Sequence, residues 1–263
     1  MKYSLKLVTY NIRTCWEEWD GINSGIHRMG QMCNKIDIEQ PDVICFQEVT
    51  ENHARYFERH MPEYQLFYRG RLEKFDGEGL AVALRKETME LLTLDCFWLS
   101  PTPYVPASRF PEQSEYPRIC QVVMARKRGT DTPFWIYNNH LDHISDQARI
   151  LGIRQVMARV MEDQSHFAFP VFIAGDFNAE PGSETIEYCS NFADFPLTEL
   201  NADCGGTFHD FGRELDNMMH IDYIYADRAT AQHPYTVAKW TDESNGIYLS
   251  DHYPVCVEIE LEE

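Results

Sequence analysis

Apolar, strand-like runs recur through the whole chain, whereas the 3.6-residue period of a long helix appears only twice. Candidate strands cover Leu5–Tyr10, Asp42–Phe46, Tyr64–Tyr68, Leu80–Leu84, Met89–Cys96, Ile119–Ala125, Phe134–Asn139, Val171–Ala174, Ile221–Tyr225, Tyr235–Trp240 and Val255–Leu261. The clearer helix runs from Ser145, whose hydroxyl suits an N-cap, to Glu162; Ile150, Ile153, Val156, Met157 and Val160 form its apolar stripe. A second spans His27 to Gln40 and stops before Pro41. So many strands served by so few helices do not fit a strictly alternating βα barrel. Two packed sheets flanked by helices do, which makes the chain an α/β protein.

The 263 residues are 44% hydrophobic and 13% aromatic, enough for a sizeable core and too many for disorder. There is no internal repeat and no Gly/Ser linker, so a single domain over residues 1–263 is expected. The stretch "SPTPYVPASRFPEQSEYP", broken by five prolines, reads as a long surface loop. With 42 acidic against 23 basic residues the formal charge is −19, which repels a phosphate backbone at long range. A divalent cation held in an acidic pocket would reverse that sign locally. The eight cysteines form no CxxC pair, and Cys45, Cys120 and Cys256 lie inside apolar runs as small hydrophobes. The first residues run straight into a strand pattern, and no apolar stretch approaches the roughly 20 residues of a membrane span. A reduced cytoplasmic protein with no membrane partner, and a monomer, is the expectation.

Polar residues gather where the strands end. The segments are "TYNIRT", "CFQEV", "NNHLDH", "AGDFNAE", "HIDYIY" and, leading into the last strand, "SDHYPV". Each has an ordinary structural explanation when taken alone: Asn11 a turn residue, Glu48 a helix-start carboxylate, His140 a core histidine. Asp176 and Asn178, two residues apart at the lip of an apolar strand, suit turn chemistry equally well. Together the segments fall in the crevice where α/β proteins place ligands.

In this order they resemble the endonuclease/exonuclease/phosphatase superfamily, typified by pancreatic deoxyribonuclease I. The likeness extends from Asn11 to His252, and "GDFN" and "SDHYPV" are its most specific motifs. "FWLS", "PRIC" and "NNHLDHISDQAR" are similar to a bacterial branch of metal-dependent hydrolases. The resemblance implies a four-layer α/β/β/α sandwich of the deoxyribonuclease I-like kind, and an enzyme that hydrolyses phosphoesters.

That chemistry requires masking negative charge, aligning a water and stabilising the leaving oxygen, for which a hard divalent ion with oxygen ligands is suited. Glu48, a lone strand-end carboxylate, is the first ligand candidate, and the resemblance adds Asn11 and Asp251. Such oxygen donors suit Mg²⁺ or Mn²⁺ better than zinc. Asp222 offers the orienting carboxylate for His252, which the resemblance implies is a general base or a charged stabiliser at the phosphate. Asp176 and Asn178 are expected to hold the attacking water and a non-bridging oxygen. By resemblance, His140 is a second active-site histidine on the leaving side and Glu78 its carboxylate partner. Asp142 is expected on the same face as His140, with His143 pointing away. Arg118 is either a bidentate phosphate clamp or half of a salt bridge. Arg149 is expected to tie its helix to Asp142 or Asp146, and Thr207 resembles a phosphate-contacting threonine. Abasic-site endonucleases carry an Asp two residues beyond the first-strand Asn; Arg13 stands there in this chain.

The leading expectation is a phosphodiesterase or phosphatase acting on a small phosphoester. A nuclease would want a basic or aromatic groove, for which Tyr104, Arg109, Phe110 and Tyr116 of the proline-rich loop offer a modest case. A non-catalytic binding module would be expected to have lost a ligand or the histidine pair, and neither is missing. A zinc site built on "HLDH" lacks the spacing that puts two histidines on one helical face.

Overall fold

The computed structural model describes residues 2–14 and 18–262. Two six-stranded sheets stack face to face. One carries the order β11-β14-β1-β2-β4-β3 and the other β5-β6-β7-β8-β10-β9. In the first sheet these are β1 (Lys2–Asn11), β2 (Val43–Val49), β3 (Tyr64–Gly70), β4 (Gly79–Arg85), β11 (Tyr235–Lys239) and β14 (Val255–Glu262). The second holds β5 (Met89–Trp98), β6 (Ile119–Lys127), β7 (Pro133–His140), β8 (Val171–Asp176), β9 (Leu197–Glu199) and β10 (Asp222–Asp227). A short hairpin of β12 (Glu243–Ser244) and β13 (Ile247–Tyr248) stands apart.

Within each sheet one pair is parallel, β1 with β2 and β7 with β8, and helices make the crossovers. These are α1 (Gly25–Glu39) and α3 (Asp146–His166). The parallel pairing puts strand C-termini side by side: Asn11 pairs with Gln47, and His140 with Asp176.

Alternation along each strand explains why the central runs read as continuously apolar. Cys45 and Phe172 point between the sheets, where they meet Leu7, Val82, Ile136 and Ile224. Ile44 and Phe46 face outward onto Met32 and Ile36 of α1 and Phe57 of α2 (Glu51–His60). Val171 and Ile173 face outward onto Ile153, Val156 and Val160 of α3, and Ile186 of α4 (Glu184–Ser190) extends that layer. The result is the expected α/β/β/α sandwich. Its α2 and α4 are not among the helices expected from the sequence; α2 is ten residues long and buries only His53, Ala54 and Phe57.

A polar bridge crosses the apolar interior just below the strand ends. Asn138 Nδ2 donates to the carbonyls of Phe46 and Ala81 at 3.1 and 3.2 Å, and its Oδ1 accepts from Gln47 Nε2 at 2.9 Å. Gln47 is held in turn by Thr9 and the Cys45 carbonyl. Fully paired, these buried amides fix the sheets' relative position where the two sets of strand ends meet.

The start of α2 is pH-sensitive. Buried His53 accepts the Thr50 backbone N–H on Nδ1 at 3.2 Å, which only the unprotonated nitrogen can do. Burial and then the Arg28 charge push its pKa from 6.5 down to about 3. Below pH 6.5 the unfolded chain therefore binds a proton that the folded chain refuses. The resulting loss is small at pH 7 and reaches about 2 kcal/mol at pH 5. Urea titrations should find that His53→Gln loses about 2 kcal/mol less stability than wild type across that interval. Parallel pH profiles for the two proteins would remove His53 as the cause.

Candidate active site

The six polar segments converge on one cavity of about 420 Å³, whose lining includes Arg13, Glu48, Asp176, Asn178, Asp251 and His252. Backbone features aim the side chains into it. The β2–β4 ladder slips register between Gln47 and Val49, and Glu48 in that bulge takes φ +61°. Asn178 takes φ +48° and Arg13 φ +60°, also left-handed, a concentration of backbone strain typical of a functional site. The glycine of "GDFN" permits the close parallel approach of β7. A Cβ at Gly175 would lie 1.9 Å from the Asn139 carbonyl oxygen.

Asp222, at the head of β10, accepts from His252 Nδ1 at 2.8 Å, leaving Nε2 facing Asp176 Oδ2 at 3.9 Å. Asp176 Oδ2 lies 3.5 Å from His140 Nε2, and Asn11 Nδ2 donates to it at 2.9 Å. The Asn178 backbone N–H caps Asp176 Oδ1 at 2.8 Å, and its side-chain amide donates to the Leu141 carbonyl at 3.1 Å. Asp176 and Asn178 are thus both turn residues and cavity residues.

Burial and mutual charge set unusual proton affinities. Burial alone would lower His252, but Asp222, Asp251 and Asp176 raise it to about 10, so it is an imidazolium at neutral pH. Asp176 is pushed up to about 7 by burial and the Asp222 charge, against the pull of His252. His140 goes the other way, well below the usual imidazole range, through burial and the Arg118 and Arg71 charges. The two histidines therefore differ in charge: one is cationic, the other neutral. Glu48 stays ionised despite burial, because the Thr14 N–H (2.7 Å), Arg13 and His252 favour its charge.

The oxygen donors fit a hard cation. Glu48 and Asp251 line the same cavity, and the Glu48 charge adds to burial in raising Asp251 from its ordinary value, against the pull of His252. The nearest cation to Asp251 Oδ2 is Arg13 Nε at 3.7 Å, so this oxygen is available. A second trio, Asp176, Asp222 and His252, has ligand atoms within 4.8 Å of one another and could also hold a metal. A metal there would compete with the Asp222–His252 hydrogen bond.

Several residues stand elsewhere than expected. Asn11 lies between the carboxylates but turns its NH₂ to Glu48 and Asp176, while its Oδ1 accepts the Arg13 N–H. It is placed as a donor that spaces the two acids. Thr207 is fully buried; its hydroxyl oxygen accepts the backbone N–H groups of Ile221 and Asp222, both at 3.2 Å. It sets the start of β10 and does not reach the cavity. Asp142 accepts from Ser114, Ile144 and Ser145, so its carboxylate is used in folding the loop before α3. Glu78 pairs with Arg71, in place of the expected bond to His140. Arg118 is buried; its Nη2 bonds His143 Nδ1 at 3.1 Å, and its Nη1 is 3.9 Å from Glu78. His143 thereby joins the cavity wall, against the expectation that it points away. Arg149 does bind the Asp142 carbonyl and the Asp146 carboxylate.

Arg13, Arg71 and Tyr116 also line the cavity. Arg71 comes from "RGRLEKFDGEG", a loop with no period, and nothing local marks it. A larger cleft of about 750 Å³ opens between the edge strands β3 and β5, beside Phe75, Trp98 and Tyr104. It includes none of the strand-end acids or histidines, so size alone does not locate the chemistry.

The endonuclease/exonuclease/phosphatase family model matches residues 8–252. A conserved protein of unknown function from Enterococcus faecalis superposes with a TM-score of 0.86 at 28% identity, covering 98% of this chain and 100% of that one. A mannosyl-6-phosphatase from Bacteroides thetaiotaomicron superposes with a TM-score of 0.83 at 22% identity, covering 97% and 99%. A protein of Acanthamoeba polyphaga mimivirus is 22% identical over 269 residues, 96% of this chain and 99% of that one. With the sandwich, the strand-end cavity and a match over nearly its whole length, the chain belongs to the endonuclease/exonuclease/phosphatase family.

Proposed function

We propose that this protein is a divalent-metal-dependent hydrolase of small phosphoesters, with Glu48 and Asp251 as the metal-binding carboxylates. The observation that carries the reading is the 2.8 Å Asp222–His252 pair, with its free imidazole nitrogen facing Asp176 in a cavity that also holds Glu48 and Asp251. A Mg²⁺ or Mn²⁺ ion bound there would supply neutralisation of the ester's anionic oxygens and of charge on the leaving oxygen.

The protein's own groups divide the remaining work. Asp176, with a proton affinity near neutrality, takes a proton from the attacking water. His252, cationic and fixed by Asp222, donates a charged hydrogen bond to a non-bridging oxygen. This favours the charged-stabiliser role over the general-base role. Asn178 and neutral His140 orient the phosphoryl group, and Asn11 keeps Asp176 apart from Glu48. The likeness to a mannosyl-6-phosphatase supports a small substrate such as a phosphorylated sugar, as does the acidic composition. No helix among the described residues is long and apolar enough to cross a membrane. The seven cysteines among the described residues are free thiols, in keeping with a reducing, cytoplasmic setting.

The test is a Mg²⁺- or Mn²⁺-supplemented screen across nucleotides, nucleic acids, sugar phosphates and phospholipids. Turnover of small phosphoesters, with poor cleavage of long DNA at physiological salt, is the expected result. Efficient degradation of long DNA would replace this reading with the nuclease one, and no turnover of any class would leave a binding module.

A further inference from the structure

Beside the proposed hydrolytic centre, the cavity contains a cationic recess that hydrolysis itself does not use. Arg71 and Arg118 are 6% and 4% exposed, yet among the described residues Glu78 is the one carboxylate in ion-pair contact with them. Arg71 holds that carboxylate directly, whereas Arg118 Nη1 is 3.9 Å from it. Arg118 Nε and Nη1 have no hydrogen-bond partner, although both atoms are buried. A guanidinium buried with donors unused is costly in a finished protein and ordinary in a site that awaits an anion. Such a recess is also out of character for a chain with 42 acidic against 23 basic residues.

Its position relative to the reacting groups gives it a role. His140 stands between the two sets: its Nε2 is 3.5 Å from Asp176, and Arg118 and Arg71 are the charges that act on it most. Exposed His143, bonded to Arg118, and Tyr116, with Arg71 over its ring at 5.0 Å, form the outer wall. At about 420 Å³ the cavity has room for more than one phosphoryl group.

We propose that Arg71, Arg118 and His143 bind a second anionic group of the substrate, a carboxylate or a further phosphate, carried on the part that leaves. This deepens the phosphoester-hydrolase reading and rests on it. On binding, the second anion takes up the unused Arg118 donors and balances the surplus positive charge, as bidentate anion recognition by arginine does. The enzyme then discriminates among small phosphoesters by their distal charge.

The experiment compares glycerol 3-phosphate with 3-phosphoglycerate, a matched pair that differs by one carboxylate. Calorimetric binding in metal-free buffer and kcat/KM with Mg²⁺ are both read for wild type, Arg118→Met and His143→Ala. His143 is exposed, so its variant keeps the test open if the buried arginine variant fails to fold. Wild type is expected to prefer 3-phosphoglycerate at least tenfold, and the preference should shrink toward unity in both variants. Equal binding of the two compounds by wild type, or a preference that survives in both variants, overturns the proposal. A binding preference without any turnover would support the recess and sink the hydrolase reading instead, so the two failures are distinguishable.

Discussion

His252→Ala is expected to lower turnover by roughly 10²–10⁴-fold, the range for a positioned acid–base or charge-stabilising group. The imidazolium contributes through what surrounds it. Asp222 fixes the ring at 2.8 Å and, with Asp251 and Asp176, raises its pKa to about 10. Alanine removes the cation and leaves the buried Asp222 carboxylate without its imidazole partner. Asp222→Asn should follow in the same direction, because an amide neither charges the ring nor fixes its tautomer. Stopped-time assays on the best small substrate, with near-UV circular dichroism to confirm native packing, measure both. A loss under threefold in a natively packed His252→Ala would remove this histidine from the mechanism.

Removing divalent ions should have an effect of similar or greater size. Glu48 and Asp251 repel each other within one cavity, with Arg13 contributing one contact to Asp251 at 3.7 Å. A bound dication relieves that repulsion and supplies charge neutralisation that the side chains alone cannot. Activity should fall to background with chelator and return with Mg²⁺ or Mn²⁺. Glu48→Gln should shift the metal concentration at half activity upward by at least tenfold, since it removes one formal charge from the ligand set. Full activity in chelator would end the metal proposal, and an unshifted metal dependence would take Glu48 out of it.

How much of this was legible in the sequence depended on whether the determinant was local. Strand ends are local: an apolar run stops where a buried strand stops, so Asn11, Glu48, His140 and Asp176 could be placed at one edge of the sheets. The convergence of the parallel pairs then brought them together. Helix α3 announced itself through its stripe and its Ser145 cap, which accepts the Ala148 N–H at 3.2 Å. Helix α2 is harder to read, being ten residues long with polar His53 among the three residues it buries.

Choice of partner was not local, and there the sequence was silent. The Asn11 NH₂ donates to Asp176, 165 residues along the chain. The Asp142 carboxylate is claimed by Ser114, twenty-eight residues away in the proline-rich loop. Thr207 is drawn inward by the buried start of β10, whose Ile221 and Asp222 N–H groups need an acceptor. Arg71 enters the cavity because the β3–β4 loop folds back, with Trp98 Nε1 holding the Arg71 carbonyl at 2.7 Å. None of these follows from spacing or period.

The central claim is a division of labour: Glu48 and Asp251 hold the cation, while Asp176, Asp222 and His252 handle protons and charge. Anomalous scattering from a crystal soaked in Mn²⁺ tests it most directly. The account predicts a peak within bonding distance of the Glu48 and Asp251 carboxylates, with the Asp222–His252 hydrogen bond intact. A peak seated instead among Asp176, Asp222 and His252, with that hydrogen bond broken, would contradict it.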